Sequence, residues 1–189
     1  MEKGKVIIFS APSGSGKSTV VKHLLDTFDF FELSVSATSR APRGQEQDGR
    51  EYYFITPEEF RARIAADEFV EHEEVYGGVY YGTLKSEMKR IWDKGHVILF
   101  DVDVKGGVNL KRIFGDDACS VFISVPSVDV LRQRLLSRAT DSAEAIEVRV
   151  RKAAEEMAFA PQFDHILVND DLTLCLQQAD ALVQDFLKL

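Results

Sequence analysis

The sequence predicts an α/β fold three layers deep, with a parallel sheet between two layers of helices. Three observations lead there: short apolar runs of strand length, helical spacing after each of them, and a length that suits one such domain. The chain has 189 residues, 45% hydrophobic and 29% charged, which is the composition of a folded globular domain and excludes disordered and fibrous classes. Strands of a parallel sheet are buried on both faces, so they read as continuous apolar runs rather than alternating ones.

The first run is residues 5–10, Lys-Val-Ile-Ile-Phe-Ser, and after a loop of small residues Val20, Val21, Leu24, Leu25 and Phe28 recur on one helical face. From Phe30 to about Gly82 the texture changes to short strand-like pieces, many polar and aromatic residues, and one helix. That helix starts at Thr56-Pro57-Glu58-Glu59, with a capping residue, Pro at the first helical position and Glu three after the cap. Phe60 and Ile64 give it a thin apolar face, as suits a small insertion on a larger core. Core periodicity returns with a helix from about Leu84 to Lys94, stopped at Gly95, and a strand Val97-Ile98-Leu99-Phe100 that ends on Asp101. Another helix and a strand from Cys119 to Val125 follow. Ser127 can cap a helix carrying Leu131, Leu135 and Leu136, after which Ser137 to Ala143 is polar and contains an arginine. A long helix with Ile146, Val150, Ala153 and Met157, a strand Ile166-Leu167-Val168 and a last helix with Leu176, Ala179, Leu182, Val183 and Phe186 complete the alternation. Strands that alternate with helices imply helices on both faces of one parallel sheet.

The formal net charge of -8 argues against non-specific nucleic-acid binding, which relies on a basic surface releasing counterions. An anionic ligand would need a local arginine cluster instead. The N-terminus runs straight into the first strand rather than into a signal-peptide core, and no apolar run approaches membrane-spanning length, so a cytoplasmic protein without membrane partners is expected. Cys119 and Cys175 lie far apart in apolar segments and read as small buried hydrophobes. His23, His72, His96 and His165 show no pairing of the kind a zinc site needs.

The loop after the first strand, Ala11-Pro12-Ser13-Gly14-Ser15-Gly16-Lys17-Ser18 followed by Thr19, matches the phosphate-binding pattern G-x-x-x-x-G-K-S/T, with Ala11 in place of the first Gly. Gly14 and Gly16 let the backbone wrap a polyphosphate while amide groups and the following helix N-terminus direct positive dipole at it. Lys17, in a solvent-facing loop, would reach the β and γ phosphates of ATP, and Ser18 would ligate Mg²⁺. The fold is thereby specified as a P-loop NTPase core. The plain alternative is a Gly/Ser turn before a helix. Asp101, at the end of an apolar strand, is the acid expected to hold Mg²⁺ through water, although an Asp there is also a common cap.

A phosphate loop says only that a nucleotide binds; the acceptor region decides the rest. Ser34-Val35-Ser36-Ala37-Thr38-Ser39-Arg40-Ala41-Pro42-Arg43, Asp48-Gly49-Arg50-Glu51-Tyr52-Tyr53-Phe54, Phe69-Val70-Glu71, Tyr80-Tyr81-Gly82-Thr83, Leu99-Phe100-Asp101-Val102-Asp103 and the stretch from Phe163 to Asp170 together resemble the guanylate kinase family over nearly the whole chain. The resemblance implies a single guanylate-kinase-like domain: core 1–33, 84–136 and 159–189, a GMP-binding insertion at about 34–83, and a lid at about 137–158. It also implies transfer of the γ-phosphoryl group of ATP to GMP with Mg²⁺, as part of purine nucleotide metabolism. Arg40, Arg43, Tyr52 and Tyr81 are assigned to the GMP phosphate, where forked guanidinium groups suit a dianion. Glu71, Ser36 and Thr83 are assigned to the guanine edge, with Asp103 at its 2-amino group; a carboxylate accepts from two parallel donors, and guanine offers N1–H and the 2-amino group side by side. Glu73 and Glu74, beside Glu71, are expected to stay outside the pocket. Arg134, Arg138 and Arg149 resemble the lid arginines, and Asn169 lies where the family supports the adenine. Ala139 stands where the family usually has Gly, and Lys105 where it usually has Gln.

Two rivals remain at this stage: a binding module that grips phosphopeptides in the old acceptor cleft, and a kinase on this fold for another phosphorylated acceptor such as a ribose bisphosphate. Lys17, Ser18 and the arginines speak against the first, and Glu71 with Ser36 and Thr83 against the second. A homo-oligomer is an open alternative.

Overall fold

The computed structural model describes residues 4–137 and 143–189, apart from the side chains of Val75, Tyr76 and Ala143. The first strand, β1 (Val6–Ser10), is wholly buried at the centre of the main sheet. It leads through the Gly-rich loop into α1 (Lys17–Thr27) and then an edge strand, β2 (Phe31–Leu33). Four strands and a helix follow: β3 (Ala37–Thr38), β4 (Tyr53–Phe54), α2 (Pro57–Ala65), β5 (Phe69–Tyr76) and β6 (Val79–Leu84). Next come α3 (Lys85–Trp92), β7 (Val97–Asp101), α4 (Val104–Phe114) and β8 (Ala118–Ser124). The chain ends with α5 (Val128–Ser137), α6 (Ala143–Met157), β9 (His165–Val168) and α7 (Leu172–Leu187).

The main sheet has the order β2-β7-β1-β8-β9 and is parallel throughout. Side chains alternate across each strand, and the two faces of β1 sort the core accordingly. Ile7 and Phe9 pack with Val20, Val21 and Leu24 of α1 and with Cys175, Ala179 and Val183 of α7. Val6 and Ile8 pack with Met88 and Ile91 of α3 and Leu110 and Phe114 of α4. The three expected layers follow from that alternation. Both cysteines are reduced and buried, and burial pushes the Cys119 thiol up to about 12.

The region from 34 to 84 builds a second sheet, β4-β3-β6-β5, whose long hairpin β5–β6 turns on Gly77 and Gly78. Its own small core stacks Phe60 on Phe69, with ring centroids 4.3 Å apart. Thr56 caps α2 through Glu59 N, as its sequence predicts. The sheet is rooted to the main one by Glu87 of α3, a carboxylate fully buried on the apolar face of its helix. It accepts from Val35 N at 3.0 Å, from the Tyr53 hydroxyl at 2.9 Å, and from both forks of Arg90. Arg90 in turn pairs with Glu32 on β2. Helices α5 and α6 pack together through Leu131, Leu135, Ile146 and Val150. Among the described residues no helix is long and apolar enough to cross a membrane.

Candidate active site

The phosphate loop connects the C-terminal end of β1 to α1, in the middle of the sheet, where strand ends leave a crevice. Gly14 and Gly16 have φ of +91° and +96°, values that L side chains rarely adopt. A Cβ on Gly16 would also lie 2.3 Å from Asn169 Nδ2. Ala11, by contrast, is not among the positive-φ residues, so a methyl group in place of hydrogen costs no backbone strain. The loop and Thr19 line a cavity of about 520 Å³ together with Asp101, Asp103 and Arg149.

Lys17 is less exposed than a solvent-facing loop would make it. It is the first residue of α1, its side chain is only 19% exposed, and its ammonium sits 2.5 Å from Asp101 Oδ1 and donates to Val102 O at 2.7 Å. Ordering of α1 by its packing on β1 carries the lysine inward. Asp101 is therefore a counter-ion of Lys17 as well as a candidate cation ligand. The Ser18 hydroxyl and the Asp101 carboxylate line the same cavity, a hard-oxygen pair that suits Mg²⁺ if phosphate oxygens and water complete the shell. No cluster of three or more metal-ligating His, Cys, Asp or Glu side chains occurs among the described residues.

The acceptor side is a second cavity, of about 280 Å³, that shares Tyr52, Asp101, Val102 and Asp103 with the first. The two therefore form one cleft. Glu71 projects into it from β5, opposite Thr83 on β6, and takes a hydrogen bond from the Thr83 hydroxyl at 2.8 Å. Thr83 is fully buried and orients the carboxylate rather than lining the cavity. Burial pushes the Glu71 carboxyl above its ordinary value, Thr83 pulls it down, and Asp103 and Glu73 raise it again. Ser36 lies on the same wall. Asp103 caps α4 by accepting from Gly106 N at 2.7 Å, and its carboxylate also borders the cleft.

Glu73 corrects the expectation that the neighbours of Glu71 face away. It lines the acceptor cavity because residues two apart on a strand share a face; Glu74 is exposed on the other side. Tyr52 and Tyr81 line the cavity and meet edge to face at 5.8 Å. Arg40 reaches it through Tyr81, donating from Nε to the hydroxyl at 3.1 Å. Arg43 is exposed in the loop just beyond.

Two of the three lid candidates are described, and they sit in different places. Arg149 on α6 faces the phosphate loop across the cavity. Arg134 donates to Asn169 O at 2.8 Å and so braces the end of β9. Arg138 and Ala139 lie outside the described residues. Asn169 sits against the phosphate loop. It is buried, and its amide donates to Ser15 O at 2.7 Å, holding the loop from behind.

The guanylate kinase family profile matches residues 3–186. The chain is 52% identical over 184 residues to the guanylate kinase of Bacteroides thetaiotaomicron, covering 97% of this chain and 90% of that one. It is 54% identical to the guanylate kinase of Porphyromonas gingivalis, with 97% and 98% covered. The chain belongs to the guanylate kinase family. Its fold matches the crystal structure of the Anaplasma phagocytophilum guanylate kinase with a TM-score of 0.70 at 30% identity, over 97% of this chain and 84% of that one. It is thus a nucleotide-binding enzyme of the kinase class.

Four residues of this guanylate kinase family site escape motif reading. Glu73 could have been found from strand alternation with Glu71. Glu87 shows itself as a carboxylate spaced with Met88 and Ile91 on the apolar face of α3. Glu46, which grips Arg40 at 2.6 and 2.8 Å, stands three residues after Arg43 in a Gly-containing turn. Glu156 lines the donor cavity from α6, and no local pattern sets it apart from Glu155.

Proposed function

We propose that this chain transfers the γ-phosphoryl group of ATP to GMP, giving ADP and GDP, in the purine nucleotide metabolism of the cytoplasm. The observation that carries the reading is the single cleft in which the cavity of the phosphate loop and that of the half-buried Glu71 carboxylate share the wall formed by Tyr52, Asp101, Val102 and Asp103. The donor's polyphosphate would lie in the loop, on the amide groups from Gly14 to Thr19, with Lys17 turning from Asp101 to the β and γ oxygens. The acceptor's guanine would give N1–H and its 2-amino group to Glu71, with Ser36 and Asp103 beside it. Its phosphate would meet Tyr52, Tyr81, Arg40 and Arg43. The relatives' name, guanylate kinase, supports the same acceptor.

An acceptor phosphate is already ionised, so in-line attack needs no strong base. What the protein supplies is alignment of the two anions and relief of their repulsion. Lys17 and Arg149 contribute positive charge from opposite sides of the cleft, and Arg138 joins them by family resemblance. When bound, Mg²⁺ would be held by Ser18 and, through water, by Asp101, and would neutralise charge on the β and γ oxygens. Segments 34–83 and 137–158 would close over the core from two sides and exclude water that would otherwise hydrolyse ATP. Arg134 and Asn169 would serve as braces of the loop and strand end.

The test is coupled detection of ADP with ATP, Mg²⁺ and each nucleoside monophosphate in turn. GMP should be phosphorylated, dGMP somewhat less well, and AMP, CMP and UMP poorly; equal use of AMP and GMP overturns the guanine reading.

A further inference from the structure

Glu71 does not stand alone on its wall of the acceptor cavity. Glu73, two residues along β5, lines the same cavity, since strand residues two apart share a face. The next residue, Glu74, is exposed and accepts from Gly78 N at 3.1 Å. Glu73 has no such partner: among the described residues its carboxylate makes no hydrogen bond and no ion pair.

The register of the hairpin fixes which part of a ligand this carboxylate meets. Glu71 pairs with Thr83 and Glu73 with Tyr81, with no irregularity between the two pairs. Residues paired across a ladder put their side chains on one face. The step from 71 to 73 therefore runs from the end of the cavity assigned to the guanine edge toward the end assigned to the acceptor phosphate, over about 7 Å of strand. Between base and phosphate in a nucleoside monophosphate lies the sugar. A ribose presents its 2′ and 3′ hydroxyls there as donors, and an ionised carboxylate is an acceptor only.

Glu73 also borders an adjoining cavity of about 250 Å³, lined by Asp103, by Lys105 of α4 and by Lys152 and Glu156 of α6. It stands half-buried where the two cavities meet. A third carboxylate beside Glu71 and Asp103 would otherwise repel an anionic acceptor, and the two lysines supply opposing charge.

We propose that Glu73 reads the sugar of the acceptor: it accepts from a ribose hydroxyl and so sets the preference for ribonucleotides over deoxyribonucleotides. The inference rests on the reading of this cleft as the site of GMP. A fully desolvated acceptor left empty discriminates by several orders of magnitude, but water reaches a half-buried one, so the preference is modest.

The experiment measures kcat/KM for GMP, 2′-deoxyGMP and 3′-deoxyGMP at saturating ATP, with the wild type, Glu73→Gln and Glu73→Ala. The wild type should favour GMP over at least one deoxy analogue by about five- to tenfold. In Glu73→Ala that ratio should fall to within about twofold of one, through loss of activity with GMP; Glu73→Gln, which keeps an acceptor oxygen without the charge, should fall between. Both substrates are compared in one protein, so a change in folded fraction cancels and a purely structural role leaves the ratio unmoved. A wild type that uses all three nucleotides equally overturns the proposal. So does an unchanged ratio in Glu73→Ala, whether or not activity as a whole falls, since it would mark the carboxylate as a source of charge only. Wild-type protein with no turnover of GMP, or with no preference for it over AMP, would instead overturn the functional reading, and this inference with it.

Discussion

Glu71 in the cleft and Glu87 at the root of the acceptor sheet are both withdrawn from water, yet their surroundings differ in completeness. Glu87 accepts from a backbone N–H, a tyrosine hydroxyl and a bidentate arginine, and these partners overcome burial to hold its carboxyl below the usual range. Among the described residues Glu71 has hydrogen bonds from Thr83 alone, and its carboxyl is pushed up. The same contrast divides the cations. Arg90 is tied to Glu87 and Glu32 at the root, while the ammonium of Lys17 makes two contacts at the cleft wall and has a third donor to offer. Completed hydrogen bonding marks a residue that holds the fold together, and unfilled capacity marks one that awaits a ligand.

The strongest way to break that comparison is Lys17→Ala. The variant should lose about 10³-fold or more in kcat while its Tm stays near that of the wild type; turnover close to normal would remove Lys17 from the site. Glu71→Gln comes next. It places an NH₂ against a guanine donor, and kcat/KM for GMP should fall by about 10²-fold or more, without AMP becoming a good acceptor. A Gln variant indifferent to the change would end the assignment of Glu71 to the base.

Arg149→Ala and Arg134→Ala sharpen the contrast within the arginines. Arg149 faces the phosphate loop, so its loss should lower kcat by roughly 10- to 100-fold with little change in the KM for GMP. Arg134 braces a strand end, and its replacement should act mainly on Tm. Rate losses of equal size in both variants would contradict the separation that the structure makes between them.

Glu87→Gln should do the reverse of Glu71→Gln. Disrupting its pairing should cost about 2 kcal/mol, since buried partners are left unmatched, and lower Tm by about 4–8 °C, with kcat within a few-fold of normal. The smallest effect is in pH dependence. The Glu71 carboxyl is raised above 4.5 in the folded state, so its destabilising contribution is absent below that pH and grows as pH rises through the folded value. Glu71→Gln should therefore be as stable as the wild type, or more so, at neutral pH, and lose that advantage in acid. Glu32 has the opposite sign. Burial raises its carboxyl, but Arg90, Lys94 and His96 bring it down to about 2, so its contribution is present above about 4.5 and is lost as pH falls toward 2. Thermal melts from pH 7 down to pH 3 would separate the two.

Much of the donor half was legible in the order of residues. The phosphate loop is contiguous, its two glycines sit where the backbone takes positive φ, and the strand and helix that flank it carry unambiguous periodicity. Glu71, Thr83 and Tyr81 could be named only through family resemblance, because a carboxylate on an eight-residue strand within an acidic run has no local mark of function. Residue order did not reveal that Asn169 donates to the loop at Ser15 O or that Lys17 is drawn against Asp101, whereas strand alternation places Glu73 beside Glu71. The first two depend on neighbours far away in the chain.

By itself the sequence determined the three-layer α/β class and the place of the phosphate loop, because these depend on local backbone requirements and on the periodic burial of apolar side chains; the family showed itself only as a resemblance of motifs spread over nearly the whole chain. Tertiary structure alone decided which charges are satisfied. Whether Arg40 is gripped by Glu46, which backbone oxygens Arg134 meets, and how many partners a glutamate finds away from water are questions of distance and direction between side chains, and hydrogen bonds are set by those coordinates and not by residue order.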